Sequence, residues 1–170
     1  MIHKHENFIL NPEHYLKLQY RTRESQSHSI KDLPDEEARS LLCRIHRTIN
    51  GALSETVWAD TLNLVMLCSG DEQSSPADAD EGEHPCPYRD YRCVLYLNDD
   101  YEGGETYFPQ HDIELKPSPG TLMWFPETAR FRHGVRKVAR GEQWTIVSSW
   151  TREESKKSWL YKGVNCYAWR

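Results

Sequence analysis

The sequence predicts a mainly β, single-domain protein with a helical N-terminal brace, and three observations lead there. From Thr61 onward the chain breaks into short apolar or alternating runs divided by Gly and Pro, the texture of an antiparallel barrel or sandwich. Before that point apolar residues recur at helical spacing instead. The 170 residues suffice for one well-buried core and are few for two.

The chain accordingly divides into a helical brace (1–60), a β core (61–151) and a C-terminal extension (152–170), all in one domain. Asn11-Pro12-Glu13 is a helix-start signal, because Asn can cap and Pro suits the first helical position. A second helix is predicted from Pro34, with Asp35-Glu36-Glu37 in its first turn and Ala38, Leu41, Leu42, Ile45, Ile49 and Ala52 along one face. Both helices are expected to brace a sheet. Strands are expected at Thr61–Cys68, Tyr91–Asn98, Glu105–Phe108, Ile113–Lys116, Thr121–Phe125, Gly134–Val138 and Gln143–Thr151. Turns fall at Gly103-Gly104, Pro117 to Gly120 and Arg140-Gly141. Trp124, Trp144 and Trp150 are expected in the core. Residues 71–85 hold six acidic side chains and no Lys or Arg, so they read as a surface loop.

A formal charge of -5 leaves no basic excess, which argues against nucleic acid and anionic membrane surfaces as partners. No apolar run approaches the roughly 18 residues of a membrane helix, and the N-terminus lacks the apolar core of a signal peptide, so a soluble, cytoplasmic protein is expected. Five cysteines at irregular spacing read as free thiols in a reducing compartment.

The run Arg89-Asp90-Tyr91-Arg92-Cys93-Val94-Leu95-Tyr96-Leu97-Asn98-Asp99-Asp100-Tyr101-Glu102-Gly103-Gly104-Glu105-Thr106-Tyr107-Phe108 resembles the signature of collagen-type prolyl hydroxylases, the prolyl 3-hydroxylase (leprecan) subgroup in particular. Later segments keep that family's order. A Pro-x-x-Gly turn from Pro117 is followed by the apolar strand through Phe125, then His133-Gly134-Val135, then Gly141-Glu142-Gln143-Trp144 leading to Trp150-Thr151. The resemblance implies a double-stranded β-helix (jelly roll, cupin-like) of the Fe(II)/2-oxoglutarate dioxygenase type, with two His and one carboxylate on one face of the metal.

Residue by residue, the resemblance aligns His133 with the family's distal His; an ordinary strand-edge histidine is the plainer alternative. The proximal His-x-Asp falls on Cys68 and Gly70, so both proximal ligands are changed. Asp71, His84 and Cys86 are alternative ligands, and a Cys/His set would suit zinc or another thiophilic metal. Gln143 stands where the family has the Lys or Arg that pairs with the far carboxylate of 2-oxoglutarate. An amide cannot replace that charge-assisted pairing. Tyr96 matches a tyrosine that helps bind the same carboxylate, although an interior aromatic would read alike. Arg92 shares the face of Tyr96 by the two-residue strand period and could bring the missing charge from another wall. Arg130 and Arg132 give the mouth a positive edge. Three functions stay open: an oxygenase with unusual ligands, an enzyme that has abandoned 2-oxoglutarate, and a non-catalytic module binding a peptide or small molecule in the barrel mouth. No residue is assigned a catalytic role.

Overall fold

The computed structural model describes residues 1–6, 8, 27–29, 35–73 and 86–168. They form one α-helix, α1 (Asp35–Ala52), and eleven strands: β1 (His3–His5), β2 (Ser27–Ser29), β3 (Trp58–Cys68), β4 (Tyr91–Tyr96), β5 (Glu102–Gly103), β6 (Thr106–Phe108), β7 (Ile113–Leu115), β8 (Leu122–Pro126), β9 (Gly134–Val135), β10 (Val138–Arg140) and β11 (Glu142–Thr151). Of the two expected helices, only the second is among the described residues; the one expected at Asn11 lies outside them. The expected strand Gly134–Val138 is two strands, because the chain leaves one sheet after Val135 and joins another at Val138.

The larger sheet has the order β1-β8-β4-β11-β3-β2 and is antiparallel throughout. A three-stranded sheet, β7-β6-β9, is extended by a bridge from Gln73 to Val135, and β10 pairs with β5. The arrangement is consistent with a jelly roll. Gly103 makes the β5–β10 approach possible: its φ is +74°, and a Cβ there would stand 2.2 Å from the Lys137 carbonyl oxygen.

Alternation along each strand divides the large sheet into two faces. One packs on α1. Ala38, Leu41, Leu42, Ile45 and Ile49 are buried there with Leu62, Leu64, Met66, Trp144, Ile146 and Trp150, whereas Ala52, expected on the same helix face, is exposed. Burial of one side chain of Leu or Phe size contributes about 1.5–3 kcal/mol. This face is therefore the principal source of stability, and the three tryptophans belong to it as expected.

The C-terminal extension closes over the helix. Tyr161 Oη accepts the Ala59 N–H at 3.1 Å and shares a hydrogen bond with His46 Nδ1, also at 3.1 Å. Arg47 donates to the Cys166 carbonyl oxygen at 2.7 Å. Cys43 and Cys166 form a disulfide with Cα atoms 4.6 Å apart. The free-thiol expectation is therefore corrected for this pair. With an odd number of cysteines and a sequence separation of 123 between these two, only the packing of the extension on α1 could bring them together.

Two predictions follow from this packing. Burial, aided by Arg47, holds the His46 imidazole down at about 4 against an ordinary 6.5. The unfolded chain then takes up the proton first, so stability falls as pH drops from about 6.5 to about 4 and levels below that. His46→Gln keeps an acceptor for Tyr161 without the titration, and denaturation midpoints should show a flatter pH profile in that variant. Reducing the Cys43–Cys166 bond should lower unfolding free energy by about 2–5 kcal/mol, measured in denaturant with and without reductant.

Candidate functional site

The other face of the large sheet looks into a cavity of about 330 Å³. Three adjacent strands line it with every second residue: Asn63, Val65 and Leu67 on β3, Arg92, Val94 and Tyr96 on β4, Gln143, Thr145 and Val147 on β11. Thr106, Val135, Gln73 and His133 close it from the opposite side. Pairing along β11 sets the order of the wall. Gln143 stands against Leu67, Thr145 against Val65 and Tyr96, Val147 against Asn63 and Val94, and Ser149 against Arg92. The cavity thus runs from a polar end at Gln143, past a belt of valines, to Arg92, the one charged side chain among the described residues that line it.

His133 precedes β9 and is reached through the short 3-10 turn Ala129–Phe131. Its ring lies 4.8 Å from that of Phe125 and 5.7 Å from that of Phe108. Nδ1 is 3.4 Å from the Phe131 carbonyl oxygen. A carbonyl only accepts, so that contact places the proton on Nδ1 and the lone pair on Nε2. Burial, and then the charge of Arg92, push the imidazole down to about 4, which makes it neutral at physiological pH.

Arg92 donates from Nη2 to Glu127 Oε1 at 2.6 Å, and its buried Nε meets no hydrogen-bond acceptor. At the other end, Gln143 donates from Nε2 to the Gly104 carbonyl oxygen at 2.8 Å and to Tyr101 Oη at 2.9 Å. Both amide hydrogens are used in those bonds. Tyr96 Oη and Thr106 Oγ1 are 2.7 Å apart, and burial raises the Tyr96 phenol above its ordinary value. His133, Arg92, Tyr96 and Gln143 are therefore brought to one cavity.

The other expected ligands are not at the cavity. Cys68 does not line it; strand alternation turns Leu67 inward and packs Cys68 against the helix-side core. Gly70 sits in the turn beyond, at φ +100°, where its N–H meets the Val138 carbonyl oxygen at 2.8 Å. Asp71 Oδ2 accepts the Cys68 N–H at 2.8 Å and so closes that turn, and Asp71 does not line the cavity. Cys86 lies beside Tyr88 near Asp60, away from the cavity. His84 is outside the described residues.

Among the described residues, no three His, Cys, Asp or Glu side chains come together as a metal site. Among the described residues one imidazole and no carboxylate line the cavity, and the guanidinium of Arg92 depresses that imidazole. The described donors thus do not fit the two-imidazole, one-carboxylate set that holds iron.

Gln73, Asn63, Thr106 and Thr145 are polar lining residues that the sequence analysis did not assign to the site, Gln73 being the one brought in from outside the regular strands. It exchanges both backbone hydrogen bonds with Val135, at 3.0 and 2.8 Å. Gly134 permits the approach, since a Cβ there would lie 2.5 Å from the Gln73 carbonyl oxygen. No local pattern marks Gln73, but Asn63 was legible from the alternation of Asn63, Val65 and Leu67.

A model of the 2OG-Fe(II) oxygenase superfamily matches residues 65–152, just over half of the chain. Mouse prolyl 3-hydroxylase 3 is 35% identical over 79 residues, which are 42% of this chain and 11% of that protein. The chain thus spans about a tenth of that relative's length. The viral collagen prolyl hydroxylase of Paramecium Bursaria Chlorella virus-1, solved with 2OG, superposes with a TM-score of 0.69 at 17% identity, covering 88% of this chain and 94% of that one. A prolyl hydroxylase from Trichoplax adhaerens, solved with a hypoxia inducible factor peptide fragment, gives 0.69 at 13% identity, covering 91% and 85%. At these identities the solved structures speak for the fold.

Removal of the nearby charge should raise the His133 pKa from about 4 while burial keeps it below 6.5. NMR titration of the imidazole in Arg92→Met checks this, and an unmoved value would mean that burial alone sets it.

Proposed function

Since the chain belongs to the 2OG-Fe(II) oxygenase superfamily, in its prolyl hydroxylase branch, we propose that it is a prolyl hydroxylase-like protein with a non-standard site. In this reading the cavity holds a small molecule or the end of a peptide and does not seat 2-oxoglutarate through the family's usual ion pair. The observation that carries the reading is Gln143. Its two amide hydrogens are committed to Gly104 and Tyr101, so a dicarboxylate arriving at that end gains no cation and no free donor from it. Its remaining polar atom is an acceptor, which repels a carboxylate.

The chain's own residues supply binding and orientation. Four valines and Leu67 offer apolar walls, Tyr96 and Thr106 hydrogen-bond each other, and Arg92 supplies charge beside a neutral imidazole. No step is assigned to iron, because the described donors do not fit it. A second reading, a divergent metal-dependent oxidoreductase, draws support from one observation: His133 is neutral with its Nε2 lone pair unprotonated, as a metal ligand must be.

Anaerobic titration with Fe(II) and 2-oxoglutarate separates the two. The proposal expects no visible charge-transfer band, the signature of a keto acid chelating iron, in the wild-type protein. It expects Gln143→Arg to raise 2-oxoglutarate affinity about tenfold or more in calorimetry, because a guanidinium restores the charge-assisted pairing. A band in the unmodified protein would overturn the proposal in favour of the oxidoreductase.

A further inference from the structure

Most of the polar groups around the cavity already serve one another. The Gln143 amide bonds Gly104 and Tyr101, Tyr96 bonds Thr106, and the charge of Arg92 is offset by Glu127. A second charge brought into this space would stand unpaired where water is scarce. The described lining therefore favours an uncharged ligand.

Two lining side chains are left over. Among the described residues, the Asn63 carboxamide and the Thr145 hydroxyl make no side-chain hydrogen bond, although Thr145 is only 8% exposed. Buried polar groups seldom stay unsatisfied. The ladder makes these two neighbours: Asn63 stands opposite Val147 and Thr145 opposite Val65, so they are diagonal partners on the cavity face of β3 and β11. Diagonal partners lie about 7–8 Å apart, near enough for one ligand group to touch both. Val65, Val94 and Val147 flank that place with apolar surface.

A carboxamide side chain carries donors on Nδ2 and an acceptor on Oδ1 side by side. An uncharged group that answers both at once is a primary carboxamide, whose carbonyl oxygen and one N–H point the same way. Its oxygen accepts from Nδ2 while its N–H donates to Oδ1, and a second lone pair remains for the Thr145 hydroxyl. A carboxylate sets oxygen against Oδ1, a ketone leaves Oδ1 unpaired, and a trans secondary amide turns its N–H away from its carbonyl.

We propose that Asn63 determines the specificity of the cavity by recognising the primary carboxamide of an uncharged ligand through a pair of hydrogen bonds, with Thr145 beside it and the ligand's aliphatic part against the valines. This rests on the reading of the cavity as a ligand site that does not seat 2-oxoglutarate through the usual ion pair. The same group is found on small amides and on the glutamine side chain of a peptide. The probes are therefore 3-methylbutanamide and N-acetylglutamine methylamide, and the tighter of the two identifies the source.

The test is NMR titration of the unmodified protein with these probes, with 3-methylbutanoate, and with the methyl ketone and the N-methyl amide of the same skeleton. At least one primary amide should bind about tenfold or more tightly than the acid, the ketone and the N-methyl amide, and should shift the Asn63 side-chain NH₂ signals. Asn63→Leu should erase that preference while leaving the weak affinity for the ketone unchanged, which also reports that the variant is folded. Thr145→Val, a change of similar volume, should weaken the primary amide several-fold. Equal binding of amide and ketone, tighter binding of the acid, no binding by any probe, or a preference that survives Asn63→Leu would each overturn the assignment. The iron and 2-oxoglutarate titration decides the broader reading separately.

Discussion

Strand β11 is paired along ten positions with β3 and along six with β4, and almost every other feature of the protein depends on that ladder. Its side chains alternate between the helix-packed core and the cavity, and its neighbours must keep step with it. Trp144, Ile146 and Trp150 face one way, Gln143, Thr145 and Val147 the other. A slip of one residue would put tryptophans into the cavity and an arginine into the core, so burial specifies the register strongly. The same pairing explains why Cys68, one residue from the inward-facing Leu67, is not a neighbour of His133.

The electrostatics of the cavity follow from how little water reaches it. In a poorly solvated space the cheaper form of an imidazole is the neutral one, and a guanidinium nearby strengthens that preference. Arg92 cannot be neutralised by losing a proton, so its charge is offset by Glu127, whose side chain is only 8% exposed. A metal dication would have to overcome both the arginine and the scarcity of anionic donors. The superfamily's scaffold is thus retained, with Arg92 and Glu127 paired at one end of the cavity.

On the far side of the sheet, α1 and the C-terminal extension share a polar anchorage inside an apolar layer. His46, Tyr161 and the Ala59 N–H satisfy one another, which is what allows an imidazole and a phenol to be buried there. The disulfide adds a covalent tie at the same place. The anchorage and the cavity lie on opposite faces of the large sheet, so the core can be held firmly without restricting what lines the cavity.

Amino-acid order alone determined the β class, the helix from Asp35, six of the seven strands to within a few residues, and the shared face of Arg92 and Tyr96, because periodicity is a local property that survives without knowledge of partners. It also singled out His133 and Gln143 as residues to examine, through an ordered motif carried on neighbouring strands. Tertiary structure decided the rest. Which face Cys68 occupies, where Asp71 spends its carboxylate, how Gln143 spends its amide, and that Cys43 meets Cys166 are all settled by contacts between strands or across most of the chain. Gln73 entered the cavity for the same reason, through a bridge to a strand more than sixty residues away. A hydrogen bond or a disulfide is specified by the positions of two partners, and a linear pattern carries the chemistry of each but not the distance between them.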